Sequence, residues 1–294
     1  MNLSHWLLAT RPKTLPAAVV PVWVGSVIHY SGSADSFSWL LFWATLLACL
    51  CIQIATNLFN DAVDAGKGAD TAERLGPKRV TASGALSRKA VMRGALGFCL
   101  GAVVFSIPLI EARGWGVGLT GLVCLYFSYG YTGGPWPLAY KGLGELFVIL
   151  FFGLVAVVGT FFVQTGRLDL PVIWALALQC GFYSCVLIAI NNLRDIEEDG
   201  KTGKHTMAVR FGKTFARWEI TFFCVAPVFL WLVYWEWEVF LTAALVHALF
   251  AALIIRGVWK NEPGTCYNRF LGMGAVQLIL FAAIVTLVCD RFSQ

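Results

Sequence analysis

The sequence predicts an all-α membrane protein: nine transmembrane helices around a central cavity, arranged as a parallel four-helix pseudo-repeat with the ninth helix appended, and capped by cytoplasmic loops. Three observations carry that prediction. The 294 residues are 58% apolar and 13% charged, with a mean hydropathy of +0.72, whereas a soluble domain is about 45–50% apolar and about 25% charged. Nine stretches reach or approach the roughly 20 apolar residues that cross a bilayer. Polar residues gather instead in two segments, 60–89 and 193–217, which hold eight of the 17 acidic residues. Composition excludes a disordered chain, a collagen and a small disulfide scaffold.

The apolar stretches run over about 15–30, 37–59, 90–110, 115–131, 146–164, 170–192, 218–234, 239–258 and 270–289. The first is short and carries Pro16 and Pro21. With Arg11 and Lys13 ahead of it, it has the look of a signal peptide, but no small-residue cleavage site follows and further spans do. Placing the N-terminus in the cytoplasm puts nineteen of the 22 Lys and Arg residues inside and leaves Arg113, Arg167 and Arg291 outside, the bias that orients membrane proteins. The net charge of +5 therefore belongs to topology, and the expected surroundings are a lipid bilayer, with no nucleic-acid partner. Eight of the nine Cys residues fall in apolar runs without a C-x-x-C pair, which reads as small buried hydrophobes. Gly97 with Gly101, and Gly114 with Gly118, read as helix-packing positions. The whole chain, 1–294, forms one domain.

The two polar segments resemble each other. The second span ends in Asn57-Leu58-Phe59-Asn60-Asp61-Ala62-Val63-Asp64, and the sixth in Asn191-Asn192-Leu193-Arg194-Asp195-Ile196-Glu197-Glu198-Asp199; Asn57 and Asn191, like Asp61 and Asp195, stand 134 residues apart. Both elements close even-numbered spans, so they meet the same membrane surface. Residues three and four apart share a helix face, which lines up Asn57, Asp61 and Asp64 on one stripe and Asn191 or Asn192, Asp195 and Asp199 on another. Converging carboxylates near hydrocarbon cost about 2.5–3.5 kcal/mol each on insertion scales, and a divalent cation removes that penalty.

Hard oxygen ligands without His or Cys favour Mg²⁺ or Ca²⁺ over zinc. Mg²⁺ uses one or two carboxylates together with water and phosphate oxygens, which nearby Lys67, Arg79, Lys141, Arg194 and Lys204 suit as partners of a diphosphate. The same cations also read as topology signals or lipid-headgroup contacts. A Walker loop and a calcium loop are both excluded by spacing, and the four His residues share no metal-ligand pattern.

These elements resemble the UbiA superfamily of intramembrane prenyltransferases over essentially the whole chain. The strings Arg11-Pro12-Lys13-Thr14-Leu15-Pro16, Lys67-Gly68-Ala69-Asp70-Thr71-Ala72-Glu73-Arg74, Tyr131-Thr132-Gly133-Gly134-Pro135 and Asn191-Asn192-Leu193-Arg194-Asp195 are similar to the branch that prenylates 1,4-dihydroxy-2-naphthoate for menaquinone synthesis. The resemblance implies that Asn57, Asp61 and Asp64 hold one Mg²⁺, Asp195 and Asp199 a second, and that a polyprenyl diphosphate bridges them. It also implies that Arg79 and Lys141 bind diphosphate oxygens, and that Asp61, Asp64, Asp195 and Asp199 are the catalytic carboxylates. Asp70 lies six residues after Asp64, where the family places its last aspartate four residues on, and is not counted with them.

The implied reaction ionises the C–O bond of the prenyl diphosphate and lets the ring carbon bearing the carboxylate attack, with loss of carbon dioxide. A dry, aromatic-lined cavity suits such a cation. Tyr126, Tyr129 and Tyr131 are candidates for that lining, or equally for an interfacial aromatic belt. Relatives acting on 4-hydroxybenzoate are the neighbouring alternative. A secondary transporter is the alternative from another class, although transporters carry their charges near the midplane in inverted repeats, whereas these lie at helix ends in a parallel one.

Overall fold

The computed structural model describes residues 3–32, 34–68, 75–76, 79–233 and 237–292. The described residues form helices and no strand. In chain order these are α1 (Leu3–Thr10), α2 (Pro16–Gly32), α3 (Trp39–Gly66), α4 (Arg88–Arg113), α5 (Trp115–Gly130), α6 (Gly144–Thr165), α7 (Pro171–Arg194), α8 (Ile196–Lys201), α9 (Met207–Phe229), α10 (Trp237–Lys260) and α11 (Tyr267–Val288). Their starts follow from local chemistry. Ser38, Ser87 and Thr206 cap α3, α4 and α9 by accepting from the backbone N–H three residues on, and proline opens α2 and α7, where its missing N–H costs nothing.

Among the described residues, α3, α4, α6, α7, α9, α10 and α11 are long and apolar enough to cross a bilayer; α1 and α2, bent by 52° at their junction, would make an eighth crossing if taken together. That differs from the nine predicted spans. The stretch 115–131 is apolar enough, but as helix it is only 16 residues, from the Gly114 break to Gly130. Hydropathy counts apolar residues, not helical turns. The second cap segment differs as well: α7 runs to Arg194, α8 occupies 196–201 and α9 begins at Met207, so most of 193–217 is helix rather than loop, whereas among the described residues of 60–89 helix is confined to 60–66 and 88–89. Within α9, Gly212 at φ 85° breaks the helix and sets its first turn apart from the rest.

α7 is the inner helix. Of its apolar window 72% is buried, against 17–39% for the other six. It shares one cluster with α2, α6, α10 and α11 through Leu176, Tyr183, Phe161 and Phe281, and a second with α9 and α10 through Ile190, Ile220 and Ile254. A third cluster joins α1, α3 and α4 to Val80 of the first cap segment. Lipid tails are as apolar as leucine, so close packing rather than hydrophobicity holds such helices together. A Cβ on Gly25 would collide with the Val157 carbonyl, and one on Gly153 would lie 2.5 Å from the Ala177 carbonyl, so these glycines let α2, α6 and α7 meet backbone to backbone. By contrast a Cβ on Gly97 would have open space around it, and Gly114, at φ 80°, ends α4; of the predicted packing glycines, a Cβ on Gly101 would press on Cys51 of α3 and one on Gly118 on Ile110 of α4.

Several hydroxyls inside the bundle are satisfied within their own helix. Thr45, Thr56, Ser106, Thr160 and Thr286 each donate to the carbonyl four residues earlier. Arg113 donates to the carbonyls of Phe162, Val163 and Gln164 and so caps the end of α6 farthest from its Gly144 start.

Candidate active site

α3 and α7 run in the same direction, and their C-terminal ends meet at one end of the bundle. Three segments converge there: the last two turns of α3 with the start of the first cap, residues 131–143 between α5 and α6 with the first turn of α6, and residues 192–206 around α8. They border a small cleft lined among others by Asn60, Asp64, Arg79, Tyr131, Thr132, Glu145, Asn192, Lys204 and Thr206.

Asp64 is its centre. The residue is 1% exposed, and Oδ2 lies 3.3 Å from Lys204 Nζ and 3.6 Å from Arg79 Nη2, while Oδ1 accepts from the Tyr140 hydroxyl at 3.0 Å. The same Lys204 ammonium stands 3.9 Å from Asp199 Oδ1. One cation thus joins an aspartate from each half of the chain. The middle segment closes the third wall. Thr132 donates from its hydroxyl to Asn60 Oδ1 and accepts from Lys67 Nζ at its carbonyl, 2.8 Å away; Tyr140 accepts at its carbonyl from the His205 N–H at 3.3 Å. The Lys67 ammonium also lies 3.9 Å above the Tyr140 ring, a cation–π contact.

Environment tunes two of these groups. Desolvation lowers the Lys67 pKa, offset by the charge of Asp64 and reinforced by that of Lys204. Burial pushes the Tyr131 phenol well up, and the charges of Glu145, Asp199 and Asp64 push it further, so Tyr131 is a hydroxyl donor at neutral pH.

Asp64, Lys67, Arg79, Tyr131, Asn192, Asp199 and Lys204 are all at or beside the cleft. Others turn elsewhere. Asp61, 2% exposed, accepts from the backbone N–H groups of Val80 and Thr81 at 3.2 and 3.1 Å, using both oxygens to fold the first cap back on α3. Asp195 is gripped by Arg194 through two bonds of 2.7 Å, and Arg194 also donates to Asn268. Asn57 donates to the Thr10 carbonyl and the Thr14 hydroxyl at 2.9 and 3.1 Å. The reason is backbone geometry: left-handed Arg11 and Pro12 interrupt the helix, the Thr14 N–H bonds Arg11 instead, and the Thr10 carbonyl needs a donor from outside. Lys141 is exposed, its ammonium 5.1 Å from the Trp136 ring. Tyr126 and Tyr129 are 58% and 40% exposed, the Tyr129 ring edge-on to Phe59 of α3, whereas Tyr131 lines the cleft. Asp70 lies outside the described residues.

Asn60, Thr132, Tyr140 and Glu145 escaped the sequence reading. Glu145 had a signal, being the one charged residue in the 22-residue span Gly144–Thr165, and an intramembrane acid is a functional candidate by default. Below it, Phe127, Phe147 and Phe151 form a half-buried aromatic group with ring centroids 4.7–5.6 Å apart.

The donor set suits Mg²⁺. Among the described residues no three His, Cys, Asp or Glu side chains converge as a ready-made metal cage, but Asp64 and Asp199 already share one cation, and two carboxylates are what Mg²⁺ takes when phosphate oxygens and water complete its shell. Zinc, which prefers His and Cys, does not fit.

Fold and site together define a multi-pass membrane protein with an anion-and-cation-lined substrate cleft at one end of its helices. The chain belongs to the UbiA prenyltransferase family, whose model matches residues 18–284. It is 36% identical over 217 residues to the 1,4-dihydroxy-2-naphthoate octaprenyltransferase of Haemophilus influenzae, covering 72% of this chain and 70% of that one. It is 38% identical over 213 residues to the protein of the same name in Bacillus subtilis, covering 72% and 67%. The protein of that name in Mycobacterium leprae is 32% identical over 292 residues, covering 97% and 95%. Among solved structures, a UbiA homolog from Archaeoglobus fulgidus bound to DMAPP and Mg²⁺ superposes with a TM-score of 0.68 over 98% of this chain and 99% of that one, at 16% identity. At that identity the likeness is one of fold.

Proposed function

We propose that this chain transfers a polyprenyl group from a polyprenyl diphosphate to 1,4-dihydroxy-2-naphthoate, with decarboxylation to the reduced, quinol form of demethylmenaquinone, in an Mg²⁺-dependent reaction at the cytoplasmic face of the cell membrane. The observation that carries the reading is the meeting of Asp64 and Asp199 on one ammonium, with Arg79 alongside. Three relatives bearing the naphthoate octaprenyltransferase name and a fold neighbour holding DMAPP with Mg²⁺ support it. In this reading α5 and the bent α1–α2 pair make the remaining crossings, for nine in all.

Asp64 and Asp199 would hold the Mg²⁺, which when bound offsets diphosphate charge and draws electrons from the breaking C–O bond; Asp61 and Asp195 join them only by exchanging their present partners. Arg79, Lys204 and Lys67 donate to the remaining diphosphate oxygens and stabilise the charge that develops on the leaving group. The segment 131–143, tied to α3 through Thr132 and Tyr140, screens the cleft from water. Phe127, Phe147 and Phe151 present ring faces where an allylic cation and its chain would lie. The nineteen inward Lys and Arg residues orient the cleft toward the cytoplasm.

The test is direct. Purified protein in detergent is given Mg²⁺, a polyprenyl diphosphate and either the naphthoate or 4-hydroxybenzoate. Prenylated, decarboxylated product from the naphthoate is expected. Product from 4-hydroxybenzoate alone would replace the acceptor, and no transfer to either would remove the reading.

A further inference from the structure

Among the carboxylates of the cleft, Glu145 is the one without a cation. It sits in the first turn of α6, lines the cleft and is 6% exposed. Its Oε1 accepts from Asn192 Nδ2 at 2.6 Å, whereas Oε2 is buried without a partner. No described Lys or Arg pairs with it. The turn that carries it is fixed from two sides. Cys185 of α7 donates through its thiol to the Glu145 carbonyl at 3.3 Å, and the Tyr131 hydroxyl stands 3.0 Å from where a Cβ on Gly144 would be.

We infer that Glu145 Oε2 takes the proton of the acceptor's ring hydroxyl, and that this unpaired carboxylate sorts the two substrates within the cleft. The inference rests on the aromatic hydroxy-acid acceptor proposed above. A diphosphate is drawn to Lys204 and Arg79 and repelled by a lone carboxylate. A hydroxyl is the group that meets a buried, unsatisfied acceptor, and doing so relieves its desolvation. Asn192 holds the other oxygen, so the free one keeps a single direction.

The chemistry balances on this one proton. Glu145 accepts it from the hydroxyl beside the carboxylate-bearing carbon, and that carbon forms the new C–C bond as the prenyl C–O bond breaks and diphosphate leaves with the electron pair. The adduct is a β-keto acid. Its carboxylate departs as carbon dioxide, the electrons pass to the ketone oxygen, and Glu145 returns the proton there. Nothing is oxidised or reduced, and no further reactant is needed.

Glu145→Gln in the full chain preserves an oxygen for Asn192 and turns an N–H₂ toward the acceptor. Transfer to the naphthoate should fall about 100-fold or more, the scale of a lost general base, while the KM for polyprenyl diphosphate stays within about threefold and Mg²⁺-dependent release of diphosphate with prenyl alcohol persists. Glu145→Asp should recover part of the transfer. Wild-type protein given the naphthoate with that hydroxyl methylated should show the same loss, a measurement that needs no variant to fold. Transfer by Glu145→Gln within about threefold of wild type, a loss of prenyl diphosphate binding to match the loss of transfer, or wild-type turnover of the methylated acceptor would each overturn the assignment. A wild type that never prenylates the naphthoate instead overturns the proposed function.

Discussion

The two aspartate elements are near copies in sequence and are used alike in one respect and differently in another. In each, the second aspartate, Asp64 or Asp199, faces the cleft and shares Lys204, while the first, Asp61 or Asp195, is turned away. What turns it away differs. Asp61 lies inside a continuous helix and takes two backbone N–H groups from the cap; Asp195 ends α7 and takes the guanidinium of its neighbour Arg194. A charged pair on adjacent residues depends on no other segment of chain, whereas two backbone donors nineteen and twenty residues downstream fix the course of a whole loop. The first element is therefore the one that shapes its cap, and the second contributes charge to a cap already made helical by α8.

The largest expected effect separates the cleft-facing pair from the anchoring pair. Asp64→Asn or Asp199→Asn should lower prenyl transfer by about 100–1,000-fold, the scale of a lost transition-state electrostatic contact, with the protein still eluting as a folded species in detergent. Equal or greater loss in Asp195→Asn, with Asp199→Asn near wild type, would reverse the roles assigned to the second element. Metal removal bears on the same pair: chelation should abolish transfer, Mg²⁺ should restore it, and the Mg²⁺ needed for half-maximal rate should rise most in Asp64→Asn and Asp199→Asn.

Asp61→Asn should act on stability first. The amide can accept with one oxygen only, so either the buried N–H of Val80 or the part-buried N–H of Thr81 is left unmatched, a cost of about 1–3 kcal/mol that thermal unfolding in detergent would read. Lys67 gives a pH effect. Desolvation sets its pKa below 10.5, so the ammonium that would bind diphosphate is lost at lower pH than for a free lysine, and the alkaline fall in kcat/KM should begin below 10.5. Because the folded value lies below the unfolded one, this group weakens the fold fully below its folded pKa, and that penalty fades as pH rises from the folded value to the unfolded one. Lys67→Arg, charged throughout, should move the alkaline limb upward.

Much of this was legible in the sequence, because hydropathy and spacing are local properties. The helices follow apolar runs, and the 134-residue spacing of Asp61 and Asp195 announced that two helix ends share a role. Partner choice was not legible. Helical spacing puts Asn57, Asp61 and Asp64 on one stripe, but α3 meets three different neighbours along it: the interrupted α1–α2 junction at Asn57, the cap at Asp61 and the cleft at Asp64. Only the junction explains Asn57, since it depends on which carbonyl Arg11 and Pro12 leave without a donor. The wall formed by 131–145 was hidden for a similar reason: Thr132 and Tyr140 look like ordinary turn residues until the Asn60 and Asp64 they bond are placed beside them.

The smallest expected effect is at Lys141, which sequence reading grouped with the diphosphate-binding cations. Its ammonium is exposed to solvent against Trp136 and does not line the cleft, so water screens whatever charge it presents to a bound diphosphate; even at 4 Å a unit pair in water is worth only about 1 kcal/mol. Lys204 is the contrast: half-enclosed, in contact with both cleft-facing aspartates, and acting through a medium of lower dielectric. Lys141→Ala should therefore change transfer by less than about threefold and leave the Mg²⁺ requirement where it was, while Lys204→Ala should approach the loss seen for the aspartates it joins. A Lys141→Ala loss as large as that of Lys204→Ala would mean that the 131–143 segment swings inward when substrate binds, carrying Lys141 from the surface to the diphosphate.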